Sequence, residues 1–270
     1  MMRVNTMTAN SHSLKLPGCT PEPLMAYLKA LGIFRLVAEQ KDPKSRACWQ
    51  DDTFVLHSSL NREALLGFFL EEYRPTPIVS PWNGGSGFYS DGSRAAKEAV
   101  DSIRAEGPNR LEEYRQAIEA SQKVLDYMGF DKKPSDREKP SLLAECRNWL
   151  PDAAVSWLDA VYVLTGADSE LQPLLGSGGN DGNLDFSSNF MKNLRPVLSG
   201  LELGKKPSKR VDYEERRKGW LDSALFDDSH ASLVKSAIGQ FNPGRVGGPN
   251  ATAGSVALCW VGLYYRGHEP

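Results

Sequence analysis

Apolar positions recur at helical spacing along most of the chain. Leu24, Leu28, Leu31, Phe34 and Val37 define one face of a first helix. Thr20 suits its N-cap, Pro21 its first position and Glu22 its positive end, while Gly32 weakens an unbroken helix. Thr53–His57, rich in β-branched and aromatic residues, predicts a strand. Asn61 or Ser59 then caps a helix through Leu65, Phe68, Phe69 and Tyr73, which the prolines at 75, 77 and 81 end. A long helical region spans roughly 93–129; from Asn109 it places Leu111, Tyr114, Ile118, Leu125 and Met128 near one stripe, and Gly129 can close it.

Further on, 131–140 is polar and reads as a loop where the chain could subdivide. Ser141–Trp149 predicts a short helix. Pro151-Asp152 opens another, carrying Val155, Trp157, Leu158, Val161 and Leu164. That helix is apolar nearly all round, which predicts a deep position in the core, and Gly166 suits its end. Helices through Phe190, Leu194 and Leu198, near 212–226 with Trp220, Leu221 and Leu225, and about 230–239 complete the pattern. No internal repeat stands out. The expected fold is α+β and helix-dominated, irregular and globular, with short strands and long Asn/Gly-rich loops. Residues 1–14 read as a disordered lead and 15–252 as the main domain.

Three loops interrupt this pattern: Pro81–Tyr89, Leu174–Phe190 and Gly239–Thr252. Glycine permits close backbone approach, and successive exposed N–H groups form concave nests for anions such as phosphate. Asn and Gln carry the paired donor and acceptor that adenine edges need. Trp82, Phe88, Tyr89, Phe186 and Phe241 lie in or beside the loops, where aromatics either stack on bases or anchor the loop in the core. The candidate DNA-binding residues are Asn83, Gly84, Gly85 and Ser86 in the first loop, Ser177, Asn180 and Asn183 in the second, and Gln240, Asn242, Arg245 and Asn250 in the third. The same residues are also ordinary turn formers.

Charge sharpens this reading. With 32 Lys and Arg against 34 Asp and Glu, the net charge of −2 excludes a protein that coats nucleic acid by charge alone. The basic stretch Lys205–Lys218 is the clearest local patch; Lys205, Lys206, Lys209 and Arg210 are candidates for holding a phosphate backbone, unless the stretch is only a solvated loop entering a charged helix. The chain is 40% hydrophobic and 24% charged, ordinary for a globular protein. No apolar run reaches the roughly 20 residues of a membrane helix, and the first residues lack a secretory signal, so a cytoplasmic protein without a membrane partner is expected.

Candidate chemistry is sparse. Cys19, Cys48, Cys146 and Cys259 are scattered, as are His12, His57, His230 and His268, and neither a zinc site nor a disulfide framework is indicated. Asp51-Asp52, Glu71-Glu72 and Asp227-Asp228 are adjacent carboxylates that point in different directions on a regular element. Asp181 and Asp185 flank the second loop and suit turn or helix capping better than a cation. Gly84–Gly87 lacks the lysine of a phosphate-binding loop, and Gly176–Gly179 lacks the acidic partner of a dinucleotide fold. A binding protein is expected, with no catalytic residues, metal or cofactor.

Four ordered segments carry a resemblance: LPGCTPEPLMAYLKALG at 16–32, RPTPIVSPWNGGSGFY at 74–89, GSGGNDGNLDFSSNF at 176–190 and GQFNPGRVGGPNAT at 239–252. Together they resemble the large subunit of the type I-G (formerly I-U) CRISPR Cascade, an RNA-guided antiviral complex, over about residues 15–252. The resemblance implies a subunit that binds target double-stranded DNA at the protospacer-adjacent motif, aids duplex opening and recruits a helicase–nuclease. Its partners would be guide RNA and the backbone and foot subunits of Cascade; guide pairing reads most of the sequence and protein reads the adjacent motif. Those large subunits are longer, so the resemblance implies that the chain corresponds to an N-terminal portion, with 253–270 departing from the pattern as a divergent tail. Truncation, a split gene and a shifted frame all fit that departure. An architectural subunit whose loops touch neighbouring subunits and guide RNA, and an enzyme acting on a phosphorylated ligand, are the alternatives.

Overall fold

A computed structural model describes residues 11–22, 24–105, 109–165, 168–171, 187, 188, 190, 191, 194, 198 and 213–227. The architecture is α+β and helix-dominated, with a small antiparallel sheet against one end of a helical body. The sheet runs β1 (His12–Leu16), β3 (Thr53–Ser58), β2 (Arg46–Gln50), with β3 central. Register is fixed by Leu16 opposite Phe54 and Trp49 opposite the same Phe54. Leu14, Leu16, Ala47, Trp49, Phe54 and Leu56 consequently share the face turned to the core. β2 and β3 join through Asp51-Asp52, and Asp51 takes the left-handed conformation (φ 52°) such a tight turn uses.

Helix α1 (Leu24–Gln40) covers that face, with Tyr27 stacked on Trp49 at 5.8 Å. It begins later than expected: Thr20 Oγ1 donates to the Glu22 carbonyl instead of accepting from the first turn. Gly32 does not interrupt it. Asn61 caps α2 (Arg62–Gly67), its Oδ1 accepting from Ala64 N at 2.9 Å. The helix then widens over Phe68–Glu72, closing with Tyr73 N on the Phe68 carbonyl. Among the described residues of the region 93–129 lie two α-helices, α3 (Arg94–Ala105) and α4 (Glu112–Met128), the second preceded by a 3-10 turn at Asn109–Leu111. Gly129, at φ 74°, ends α4 with its N–H on the Asp126 carbonyl. Helices α5 (Lys139–Trp149) and α6 (Asp152–Val161) pack onward from α4.

Three expectations change. His12–Leu16 is a strand paired with β3, so the segment to residue 14 is not a disordered lead beyond its first ten residues, which lie outside the described part. Helix α6 is two-sided, with Asp152 and Asp159 exposed and Ala154, Trp157 and Leu158 buried. It also stops at Val161: Tyr162–Thr165 forms β4, paired antiparallel with β5 (Asp168–Leu171). One core cluster runs from Leu16 to Leu225 and includes Leu125 and Leu142, on either side of the 131–140 loop.

Phe190, Leu194 and Leu198 are helical and buried, as their spacing predicts; Met191 is buried with them, and Phe190 stacks on Tyr114 at 6.4 Å. The last described helix, α7 (Tyr213–Phe226), docks on α2 and β1. The helix expected at 230–239 lies outside the described residues. Among the described residues, no helix is long and apolar enough to cross a membrane.

Candidate nucleic-acid interface

The first Asn/Gly-rich loop is the one whose geometry is described. The chain reaches it through a buried extended stretch. Ile78 accepts from Tyr114 Oη at 2.8 Å, and Ser80 Oγ accepts from Trp157 Nε1 at 3.4 Å. Trp82 is fully buried and anchors the loop. Two turns follow in succession: Asn83 N donates to the Ser80 carbonyl at 3.0 Å, and Ser86 N donates to the Asn83 carbonyl at 3.1 Å. The second is doubled by Ser86 Oγ on the same carbonyl at 2.5 Å.

Gly87 sits at φ 92°, and a Cβ at this position would lie 2.5 Å from the Ala96 carbonyl oxygen, so only glycine lets the loop lie on α3. Tyr89 is buried and its hydroxyl donates to the Pro81 carbonyl, closing the loop on itself. Burial pushes that phenol's pKa upward, which keeps it a neutral donor.

This arrangement redistributes the roles expected of the loop. Asn83 is only 5% exposed. Its Oδ1 is 3.5 Å from Gly85 N, and its Nδ2 is buried without a hydrogen-bond partner. Ser86 is buried too. In this conformation neither side chain reaches a base edge; both hold the turn. Trp82 and Tyr89 are core anchors and cannot stack on bases, while Phe88 is partly buried. What faces outward is the backbone of Gly84 and Gly85, each partly exposed.

A neighbour brought in by the fold completes this lip. The 131–140 loop runs beside it: Ser90 N and Oγ both donate to the Asp131 carbonyl, and Ser90 Oγ also donates to Asp131 Oδ2 at 3.1 Å. The exposed Lys133 lays its alkyl chain against Gly84, its Cδ 3.0 Å from where a side chain would begin. Lys132 is exposed as well, and so are Asp91 and Asp131. The lip therefore pairs two cations with two carboxylates, so attraction here is local contact and not a long-range field. Sequence spacing held no signal for Lys133, which lies more than 40 residues from the loop it joins.

The basic stretch is described only at its end. Arg217, 5% exposed, donates to Glu71 at 2.7 Å, Glu214 at 2.5 Å and the Leu198 carbonyl. Arg110 converges on the same carbonyl at 3.1 Å and on that of Leu70 at 2.6 Å, and burial lowers its pKa. Lys218 pairs with Glu63 at 3.0 Å. Arg217 thus belongs to the packing of α7, not to a phosphate surface.

The adjacent carboxylates are likewise separated. Asp51-Asp52 forms the hairpin turn, Glu71 meets Arg217 and Glu72 meets Lys41. Among the described residues no group of three His, Cys, Asp or Glu side chains could hold a metal ion. Ser177, Asn180, Asn183, Lys205, Lys206, Lys209, Arg210, Gln240, Asn242, Arg245 and Asn250 lie outside the described residues, as do Asp181, Asp185, Phe186 and Phe241. No protein-family model and no curated protein matches the chain.

Proposed function

We propose that the chain is a non-enzymatic, nucleic-acid-facing subunit: a large subunit of a type I-G Cascade complex, or its N-terminal portion, working in the cytoplasm in antiviral defence. In this reading it meets target double-stranded DNA at the protospacer-adjacent motif, aids duplex opening, and helps recruit the helicase–nuclease alongside guide RNA and the other Cascade subunits. The four ordered segments carry the assignment. The described loop adds a rigid foundation of Trp82, Ser86 and Tyr89 under an outward Gly84–Gly85 backbone beside Lys133.

The physical consequence is a division of labour. A lip of partly exposed Gly84–Gly85 backbone beside Lys132 and Lys133 suits phosphate, which positions a protein on a duplex without reading sequence. Base reading then falls to Asn180, Asn183, Gln240, Asn242, Arg245 and Asn250. The test is a gel shift of the assembled complex on target DNA. Lys132→Gln with Lys133→Gln should weaken binding about equally across motif variants and flatten its salt dependence by about one unit of slope per lost phosphate contact. Asn180→Ala with Asn242→Ala should instead erode the motif preference. Unchanged affinity and salt slope in the double-lysine variant would remove the lip from the interface.

The near-balanced charge of the lip favours one second reading, in which it docks on a neighbouring subunit. The lysine changes would then impair assembly before they affect binding of DNA by complexes already formed.

A further inference from the structure

The outer face of the three-stranded sheet carries a nucleophile, a base and an orienting group in contact. The register sets Cys48 opposite Val55 and sets both Ser13 and Arg46 opposite His57, so these side chains share the face opposite to Leu16, Phe54 and Leu56, on which Val55 itself is buried. Cys48 is exposed, and its Sγ lies 3.5 Å from His57 Nε2. His57 Nδ1 lies 2.8 Å from Ser13 Oγ. With the proton on Nδ1 and donated to Ser13, Nε2 is left to accept from the thiol, which is the relation an activated nucleophile requires. Lys15 and Arg46 are exposed on the same face, and none of the three strands contains a carboxylate.

We propose that Cys48 is a thiol-modification site that His57 activates, and that its co-reactant is an anionic low-molecular-weight disulfide. The thiol proton passes to His57 Nε2 as the Sγ electron pair attacks one sulfur of the disulfide. The S–S bond breaks, a Cys48 mixed disulfide forms, and the departing thiolate takes the proton from His57. The disulfide oxidant is reduced to one thiol and Cys48 is oxidised, so protons and electrons balance. Lys15 and Arg46 supply the charge that selects an anionic reagent over a neutral one. Cys19 and Cys146 are buried and cannot compete, and burial raises the pKa of both thiols.

The test uses the full chain with oxidised glutathione as the anionic probe and 2-hydroxyethyl disulfide as the neutral one. The rate of mass gain on the Cys48 peptide is the readout. His57→Gln should slow both reactions about a hundredfold, the lower end of what a positioned base contributes. Lys15→Gln with Arg46→Gln should slow oxidised glutathione alone. If His57→Gln fails to fold, Ser13→Ala decides the point, because losing the orienting contact at an exposed position should still slow the reaction. A His57→Gln rate equal to wild type, or an unchanged Ser13→Ala rate where that variant stands in, reduces Cys48 to a merely accessible thiol and overturns the proposal. Equal loss with both probes, or none, in the Lys15/Arg46 variant overturns the anionic class.

Discussion

Lys29 Nζ donates a 2.9 Å hydrogen bond to the carbonyl of Ala224, joining α1 to the last turn of α7 across the core. Gly18 N donates to the next carbonyl, Leu225, at 3.0 Å. The end of a helix leaves carbonyls without intrahelical donors, and here a buried ammonium and a backbone N–H supply them. The cation stands at the negative end of the helix, but burial dominates and lowers the lysine pKa, with Cys19 opposing more weakly.

The sign of the pH effect follows from that direction. Lys29 binds its proton more weakly in the folded chain than at its ordinary 10.5, so its contribution to stability grows as pH rises toward 10.5 and is lost as pH falls through the folded value. Cys19 acts oppositely, and only as pH rises past its ordinary 9.0. As pH rises toward 10.5, urea melts should show wild type gaining stability relative to Lys29→Met. Parallel curves for the two proteins would contradict this. At any one pH Lys29→Ala should be the worse variant, losing about 3 kcal/mol, because it adds a cavity to the unsatisfied Ala224 carbonyl.

Arg217 separates two meanings of the basic stretch. As a phosphate ligand it would lower DNA affinity when removed and leave the fold intact. As the group holding Leu198, Glu71 and Glu214 together, it should do the reverse. Glu71 and Glu214 are largely exposed and can be re-solvated, so Arg217→Met should cost about 2–3 kcal/mol, mostly from the Leu198 carbonyl and lost packing. The check is a denaturation midpoint alongside the salt slope of DNA binding by the folded complex. A changed slope at unchanged stability would return Arg217 to the interface.

What local chemistry decides was legible from sequence. Asn61 caps its helix, Gly129 ends α4 in the left-handed region, and Thr53–His57 is a strand. What pairing decides was not. HSLKL looks like a polar lead until β3 supplies its hydrogen bonds, and YVLT continues the apolar run of α6 until β5 turns it into a strand. The loop at 81–89 stood out by composition, yet composition could not say that Asn83 faces inward while Gly84 and Gly85 face out. Cys48 and His57 looked scattered because their contact depends on the register of a hairpin whose first strand the pattern did not mark.

Gly84 and Gly87, three positions apart, should respond oppositely to the same change. At Gly87 a methyl group would need a positive φ of 92° and would sit 2.5 Å from the Ala96 carbonyl oxygen and 2.7 Å from its carbon. Neither the backbone angle nor α3 can yield cheaply, so Gly87→Ala should cost on the order of 3 kcal/mol and loosen the whole loop. At Gly84 the nearest atom is the Cδ of Lys133, the flexible part of an exposed side chain. Gly84→Ala should therefore change the melting midpoint little. If DNA presses on this lip, it should still weaken binding, because a side chain would hold phosphate away from the backbone. Equal melting midpoints for the two variants would remove the conformational argument for Gly87.

Asp42 ties the end of α1 to the sheet and gives the acid limb of stability a specific origin. Its Oδ2 accepts from Ser59 N at 2.7 Å and its Oδ1 from Lys44 N at 3.0 Å. The bond from Ser59 is the main cause that lowers the carboxyl pKa below its ordinary 3.8. A lowered folded pKa means stability that is present above about pH 4 and lost as pH falls through the folded value. Asp42→Asn keeps the shape and one acceptor but cannot ionise. It should cost about 1 kcal/mol at pH 7, an amount reduced by solvent screening at this partly exposed site. Its stability curve should converge on that of wild type as pH falls through the folded value. Melts from pH 2 to 7 would decide it: a constant gap between the two curves would mean that the substitution acts through packing and not through the charge.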